Sequence, residues 1–501
     1  MTNRRRALWS GAALSLVLSF VAAQASAETL ADAIALAYET NPTLQGQRAT
    51  QRALDETYVQ ARTAYRPTAD VGLTTSYTDS SFGGDSSSQN LTLSATQPVW
   101  TGGRATRGVD AARSDVEQGR QNLRAVEAQI LASVIQSYVD VRRDTEALRI
   151  NQANVAVLQR QLDEASARFE VGEITRTDVA QAEARLASAQ ASLAASQAQL
   201  SSSRASYTAV VGQSPADLEP EPALAGVPAS FEEAIGIAER ENANIRAAKA
   251  AEEASRARVA QARAQYAPSV NLSATYGSSD RIRDFADNFT DNDTATVRGT
   301  ISIPIFTGGL TGSRIRQSIE RNNASIVGIE AARRDVLRLV SQNWATVLSA
   351  RAALTANEEQ VRAAQIAAEG VRQEAQVGLR TTLDVLNAEL ELRNAQLSLV
   401  GSRRDQYVAT ALLLSAMGKL EAANLVGVGT GPDQIELYDP RRNFNRVKNK
   451  GRVPVLEPLV EALDHIGAPS GDHPFNDQDA PIDTQLEAIA TNPQAVPITQ
   501  P

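Results

Sequence analysis

The chain has no cysteine among its 501 residues, and it has only two histidines, both near the C-terminal end. Without cysteine, stability cannot depend on disulfides, and a lipid on an N-terminal cysteine is excluded. Aromatic residues make up 4% of the chain, and the net charge is -9 without a basic domain. This balance argues against nucleic acid as a partner. No Ser/His/Asp set, metal-ligand spacing or nucleotide loop is visible, so we predict no enzyme, no cofactor and no metal.

Long apolar runs are also missing, except at the N-terminus. Arg4-Arg5-Arg6 precede an apolar run from Ala12 to Ala23, and Ala25-Ser26-Ala27 follows. This order predicts a signal peptide over residues 1–27. A membrane anchor is the weaker interpretation, because the run is short and rich in small residues. No later run reaches the length of a transmembrane helix, so we expect an exported protein without a helical span.

The rest of the chain repeats itself. Leu30-Ala31-Asp32-Ala33-Ile34 corresponds to Phe231-Glu232-Glu233-Ala234-Ile235, at an offset of 231 − 30 = 201. The motif Gln97-Pro98-Val99-Trp100-Thr101-Gly102-Gly103 corresponds to Ile303-Pro304-Ile305-Phe306-Thr307-Gly308-Gly309, at an offset of 308 − 102 = 206. The second half therefore has a loop about five residues longer before its motif. One architectural unit has been duplicated, over residues 28–229 and 230–438.

Before each Thr-Gly-Gly motif, apolar and polar residues alternate, which predicts strand hairpins at about 67–99 and 268–305. Four such strands are typical of an outer-membrane barrel, although a half-buried soluble sheet would alternate in the same way. The exported context favours the barrel.

The motif itself predicts a strand-to-helix junction. Gly102 and Gly308 allow the backbone to turn sharply. Trp100 and Phe306 stand at equivalent places, where an interfacial aromatic of a membrane barrel belongs.

After each motif the apolar spacing changes to three or four residues, and proline disappears. Long helical hairpins are therefore predicted over about 104–212 and 310–418, with tip turns at Gly172 and Gly378. A helix of roughly 65 residues is about 100 Å long at 1.5 Å per residue, enough to cross an aqueous compartment. The tail, residues 439–501, carries a basic cluster and a Pro- and Asp-rich end, and we predict that it is largely disordered.

A sheet in lipid cannot leave open edges, because unpaired backbone groups are costly there. Four strands per chain cannot close, and an eight-stranded barrel fills with its own side chains. The predicted fold class is therefore an α+β membrane protein. We expect three chains to form a 12-stranded membrane β-barrel, continuous with a long soluble α-helical barrel; the resemblance given next implies that these are an outer-membrane β-barrel and a periplasmic α-helical barrel.

This duplicated organisation, with its Thr-Gly-Gly junctions and Val-Gly tips, resembles the TolC-type outer-membrane efflux protein family over about residues 28–438. The resemblance implies a homotrimeric exit duct in the outer-membrane lipid with a long periplasmic extension. It also implies docking to an inner-membrane transporter, ABC or proton-driven, through a periplasmic adaptor. Type I protein secretion, drug efflux or both are implied, and the sequence names neither the cargo nor the pump.

The resemblance further implies a periplasmic entrance gate just past the tip turns. The matching residues are Thr177, Asp178, Arg380, Asp384 and Asn387. Asn387 stands where a second acid occurs in the family, and Ala375 where a tyrosine does, so the closing network is expected to be thinner. As an alternative, Asp384 is simply a helix N-terminal acid favoured by the helix dipole.

Two other function classes are open at this point. One is a structural periplasmic coiled-coil spacer or adhesin without a channel, which would not need four alternating strands. The other is a general diffusion porin, which would not need helices about 100 Å long.

Overall fold

The computed structural model describes residues 28–79, 81–82, 86–281, 293–425 and 437–473. The predicted signal peptide and parts of both strand loops lie outside these residues. Among the described helices, none combines the length and apolar character required for a transmembrane span.

Each repeat contains a short helix, a longer helix, two strands and a helical hairpin. The first repeat comprises α1 (Leu30–Thr40), α2 (Pro42–Arg62), β1 (Thr68–Thr78), β2 (Ser86–Trp100), α3 (Arg104–Glu170) and α4 (Arg176–Val211). The second comprises α5 (Phe231–Glu241), α6 (Ala243–Arg263), β3 (Ser269–Arg281), β4 (Asp293–Ser302), α7 (Leu310–Gln376) and α8 (Thr382–Ala416). Three short helices follow: α9 (Ala422–Leu425), α10 (Pro440–Val447) and α11 (Leu456–Asp464).

The four strands form one antiparallel sheet in the order β1-β2-β3-β4. Its register repeats the duplication, since Leu73 pairs with Leu91 and Ala274 with Val297. These pairs are related by 274 − 73 = 201 and 297 − 91 = 206, the same offsets that the sequence motifs give. All residues of β1 and β4 are exposed, so no protein core covers either face of these strands. A half-buried soluble sheet would have one covered face.

The long helices α3 and α7 contain 67 residues each, which corresponds to about 100 Å. Each starts after a glycine in the left-handed region, with φ 85° at Gly103 and 81° at Gly309. Residues with a Cβ rarely adopt this conformation, so glycine allows the strand to turn directly into the helix. Below the sheet, α2, α3, α6 and α7 pack side by side in that order.

The main apolar core lies midway along the long helices, where α1 packs against α3 and α4. Tyr138 and Tyr207 are fully buried there, and both hydroxyls donate hydrogen bonds to Glu28. Most other buried side chains along the helices are alanine and valine, which lets the helices approach closely.

The C-terminal segment corrects the prediction of a largely disordered tail. Residues 437–473 are folded: α10 packs on α2, and α11 contacts β2 and α3. The rings of Tyr58 and Phe444 pack at a tilt of 54° with centroids 5.0 Å apart, and Asn443 donates a hydrogen bond to Asp55. The prediction relied on the scarcity of apolar residues, whereas this segment is held by polar contacts to distant parts of the chain. Residues 474–501 lie outside the described part.

Candidate functional site

The helical tips hold the residues that the resemblance assigned to an entrance gate. Each returning helix starts with a capping box, in which a threonine and an aspartate bond each other's backbone. Asp178 accepts hydrogen bonds from the Thr175 backbone nitrogen at 2.9 Å and hydroxyl at 2.8 Å. Asp384 accepts the same pair from Thr381, at 3.0 and 2.8 Å. The two tips therefore repeat one local structure.

These bonds explain the charge state of both aspartates. The hydrogen bond from the Thr175 backbone nitrogen holds the pKa of Asp178 below its ordinary value, and that from Thr381 does the same for Asp384. Both carboxylates are therefore ionised at neutral pH. Within one chain Asp384 serves as a helix N-terminal acid, as the alternative interpretation had it. The convergence of three such acids on one axis stays a prediction.

The other gate candidates lie nearby but do not form one network within the chain. Arg380 pairs with Glu374 at 2.7 Å across its own tip, and this hydrogen bond raises the pKa of Arg380. Thr177 is exposed. Asn387 accepts a hydrogen bond from Arg185 at 2.9 Å, and this contact joins α8 to α4. Of the five predicted gate residues, Asn387 alone bonds across the two hairpins in the described contacts.

Further polar contacts between the hairpins were missed by sequence reasoning. Arg393 donates to Asn151 at 2.9 Å, and Arg404 pairs with Asp140 at 2.7 Å; both tie α8 to α3. Within the second hairpin, Arg372 of α7 pairs with Glu389 of α8, whose side chain is buried. Glu389 follows Val385 and Leu386 on the buried side of its helix. A charged residue within this apolar stripe is the sequence feature from which a buried ion pair could have been predicted.

The two strand-to-helix junctions differ, although the sequence predicted equivalent ones. Trp100 is the last residue of β2, and a Cβ on Gly102 would lie 2.2 Å from the Cβ of Ala267. Phe306 lies beyond the end of β4 and is 88% exposed, and a Cβ on Gly308 would meet nothing within 4 Å. The first junction is thus packed inside the protomer, whereas the second faces outward.

Asp464 of α11 accepts hydrogen bonds from the first strand-to-helix junction. Its Oδ1 accepts hydrogen bonds from the Thr101 backbone nitrogen and hydroxyl and from the Gly103 backbone nitrogen, at 2.6, 2.8 and 3.2 Å. Its Oδ2 accepts from the backbone nitrogen and hydroxyl of Thr106, at 3.1 and 3.0 Å. Burial alone would raise the pKa of Asp464, but these bonds hold it below the ordinary value. The carboxylate therefore satisfies backbone donors that the first turn of α3 would otherwise leave without a partner.

Comparison with known proteins agrees with this architecture. The model of the outer membrane efflux protein family matches residues 33–213 and 234–419, that is, both repeats. The outer membrane efflux protein BepC of Brucella suis is 34% identical over 430 residues, which cover 85% of this chain and 92% of BepC. The alkaline protease secretion protein AprF of Pseudomonas aeruginosa is 28% identical over 449 residues, 85% of this chain and 91% of AprF.

A solved structure shows the same fold. The outer membrane protein VceC of Vibrio cholerae superposes with a TM-score of 0.67 at 24% identity, over 78% of this chain and 96% of VceC. The predicted fold class is confirmed, and a general porin or a spacer without strands does not fit. The chain belongs to the outer membrane efflux protein family, and it is an export channel of the outer membrane with a periplasmic helical extension.

Proposed function

We propose that three copies of this chain form the complete channel. The observation that carries the proposal is the open sheet: among the described residues, β1 pairs only with β2 and β4 only with β3, so each has one edge without a partner strand. In lipid such edges are costly, and the ring that pairs them removes the cost. Twelve strands then enclose a lumen, and the helices below continue it as a second barrel.

The internal duplication supports a specific pairing between copies. Within the chain β2 pairs with β3, and Ala95 lies opposite Ala274. Adding 206 to the first number and subtracting 201 from the second gives Ile301 opposite Leu73 of the partner subunit. The pairing of β4 with β1 of the partner subunit thus has the same register as the pairing of β2 with β3 within one chain.

The exported cargo is proposed as protein, small molecules or both. BepC is an outer membrane efflux protein, and AprF is an alkaline protease secretion protein. We propose that this channel works with a periplasmic adaptor and an inner-membrane transporter, ABC or proton-driven, in one or both of these roles. It needs no catalytic chemistry of its own.

Deletion of the gene tests the role directly, with the secreted proteome and drug susceptibility measured in the same strain. Loss of one or more secreted proteins identifies type I secretion, and raised susceptibility identifies efflux. Complementation with the intact gene must restore the change. An unchanged secretome together with unchanged susceptibility would contradict both roles.

We also propose that the tips form the entrance gate. Asp178 and Asp384 stand at equivalent places, six residues after Gly172 and Gly378, and both are ionised and partly exposed to solvent. Around a threefold axis each would form a ring of negative charge, which attracts cations in a constriction. Thr177, Arg380 and Asn387 would contact neighbouring helices around this ring in the closed state.

A further inference from the structure

Helix α11 buries two acidic residues and exposes apolar residues, the opposite of an ordinary amphipathic helix at a protein surface. Its buried side carries two acids, Glu457 and Asp464, both with 0% of their surface exposed, and one apolar residue, Val460, between them. Its outward side carries apolar residues. This side, together with Val455 just before the helix and Ile466 just after it, is called the apolar face below. Its residues are Val455, Leu456, Leu459 and Ile466, exposed by 79%, 42%, 55% and 64%. A helix bordered only by water would place its charges outward and its apolar residues inward.

The buried acids fix the helix in this orientation. Glu457 pairs with Arg62 at 2.6 Å and with Arg66 at 3.1 Å. Asp464 is held by Thr101 and by the start of α3, as described above. Rolling the helix to bury its apolar face would turn both carboxylates to water and leave two arginines and the backbone donors at the start of α3 buried without partners, which costs more than the apolar exposure. The outward apolar face is therefore built into the fold.

The position of α11 indicates what covers this face. Thr101, which donates to Asp464, directly follows Trp100, the last residue of β2. The helix therefore lies at the periplasmic end of the sheet, where the lipid around the barrel ends. Apolar residues of β1 such as Val71 and Leu73 are likewise exposed, by 69% and 63%. The apolar face of α11 thus borders the part of the molecule that meets lipid.

The turn before α11 adds positive charge at the same level. Lys450 and Arg452 are exposed and flank Gly451, where an added Cβ would lie 3.0 Å from a guanidinium nitrogen of Arg66. Arg66 lies just before β1, so both cations stand near the sheet's lower edge. Apolar side chains beside exposed cations are the combination that binds phospholipid interfaces.

A neighbouring copy is a poorer fit for this surface. The segment packs across α2 and α3 and continues onto α6, where Arg263 donates to the carbonyl oxygens of Ser470 and Asp472 at 2.7 and 2.9 Å. The segment thus crosses the protomer, and α11 itself lies on β2 and α3, which are inner elements of the sheet and of the helix row. Copies joined through β1 and β4 meet at its sides.

We propose that α11 is an interfacial helix that binds the phospholipid leaflet facing the periplasm. Its apolar face lies among the lipid headgroups and upper acyl chains, and Lys450 and Arg452 contact lipid phosphates. The chain has no cysteine to carry a lipid anchor, and this helix gives each protomer a second attachment that fixes the height of the barrel in the membrane. The inference rests on the outer-membrane location of the sheet.

Site-specific labelling of the full-length channel in vesicles tests this proposal, because a single introduced cysteine has no competitor. A fluorophore on Leu459→Cys reports on α11, and Ala462→Cys provides a second position on the same helix. Val171→Cys is the control, since Val171 is an apolar residue exposed by 78% at the distant helical tip. Quenching is measured with aqueous iodide and with lipids carrying a nitroxide near the headgroup.

We expect the α11 labels to be quenched by the nitroxide lipids and shielded from iodide by roughly fivefold relative to Val171→Cys. An α11 label as open to iodide as the control would overturn the proposal. So would a label shielded from both quenchers, because protein would then cover the helix. The conductance of each labelled channel is measured as well. If the nitroxide lipids do not quench the α11 labels while the conductance is intact, the α11 proposal is wrong and the channel function still stands.

The role of the cations is tested by the lipid composition. In vesicles of phosphatidylcholine with added phosphatidylglycerol, the shielding of Leu459→Cys should increase with the anionic fraction. The additional changes Lys450→Gln and Arg452→Gln should abolish that dependence while leaving the basal shielding. If the dependence persists in this variant, the proposed phosphate contacts are wrong.

Discussion

The carboxylate of Asp464 accepts a hydrogen bond of 2.6 Å from the backbone nitrogen of Thr101, across 363 positions of sequence. The contact ties the C-terminal segment to the point where the first strand pair becomes a helix. Both repeats have a threonine hydroxyl at the helix start, Thr101 at 2.9 Å from the Ala105 backbone nitrogen and Thr307 at 3.5 Å from that of Thr311. At the second junction, however, the described contacts include no carboxylate in the place of Asp464, and Phe306 is exposed. The described C-terminal segment thus stabilises the strand-to-helix junction of the first repeat and not that of the second.

Replacement of Asp464 by Asn should release this segment. The amide keeps the size of the side chain but presents a donor to groups that are themselves donors, at a cost of about 3 kcal/mol. Trypsin should then cut the full-length protein in the basic stretch around Lys450 at least about tenfold faster, because cleavage follows the population of the open form.

Glu461→Gln is the matched control for this change. Glu461 lies on the same helix, but its pair with Arg62 is longer, at 3.3 Å, and more exposed. Such a pair contributes little, so cleavage should stay near the rate of the unmodified protein. Equal rates for the two variants would show that Asp464 does not hold the segment.

The same contact should make the segment sensitive to acid. The pKa of Asp464 is lowered on folding, so its contribution is complete above the ordinary aspartate value of 3.8 and is lost as the pH falls through the folded value. Hydrogen exchange in residues 453–473, corrected for the intrinsic rate, should therefore accelerate below about pH 3.8. In Asp464→Asn exchange should already be fast at neutral pH; an acid transition of unchanged size in this variant would assign the effect to another group.

Neutralising the tip carboxylates should change ion selectivity with little effect on assembly. Asp384→Asn removes the charge but keeps an oxygen that can accept from Thr381, so the helix start is preserved better than with alanine. We expect weaker cation selectivity and weaker block by divalent cations in planar bilayers. Asp178→Asn is the matched variant on the other hairpin. If it changes both properties while Asp384→Asn changes neither, the first hairpin lines the axis instead.

Breaking the bond between Arg185 and Asn387 should loosen the tips. This bond joins α4 to α8, so its loss frees the second hairpin to move away from the first. Arg185→Ala should raise single-channel conductance. Arg149→Ala removes an arginine whose pair with Glu146 lies within one helix and serves as the control. Equal conductance in the two variants would mean that the bond does not restrain the entrance.

The sequence predicted the elements whose signals are local or repeated. Strand alternation, the long apolar periodicity and the Thr-Gly-Gly motifs need only neighbouring residues, and the offsets of 201 and 206 reappear in the sheet register. The capping boxes were also readable, since Thr175 and Asp178 have the required spacing, but the acids were interpreted chiefly through the gate.

The C-terminal segment and the contacts between hairpins could not be predicted in this way. Burial of Glu457 depends on Arg62 and Arg66, nearly four hundred positions earlier, and no periodicity links them. The Arg185–Asn387 bond requires the relative height of two hairpins, which helical periodicity leaves open. A sequence window containing acids and few apolar residues has the composition of a disordered tail even when distant partners make it fold.

The central claim, a ring closed by pairing β4 of one protomer with β1 of its partner, is tested most directly by disulfide trapping. The duplication places Thr300 opposite Thr74 of the partner subunit, as Ser94 lies opposite Thr275 within the chain. The double variant Thr300→Cys and Thr74→Cys should oxidise in membranes to a covalent trimer on denaturing gels. Thr300→Cys with Thr68→Cys, six residues out of register, should not. Monomer alone from the in-register variant, with both thiols still reactive, would contradict the account.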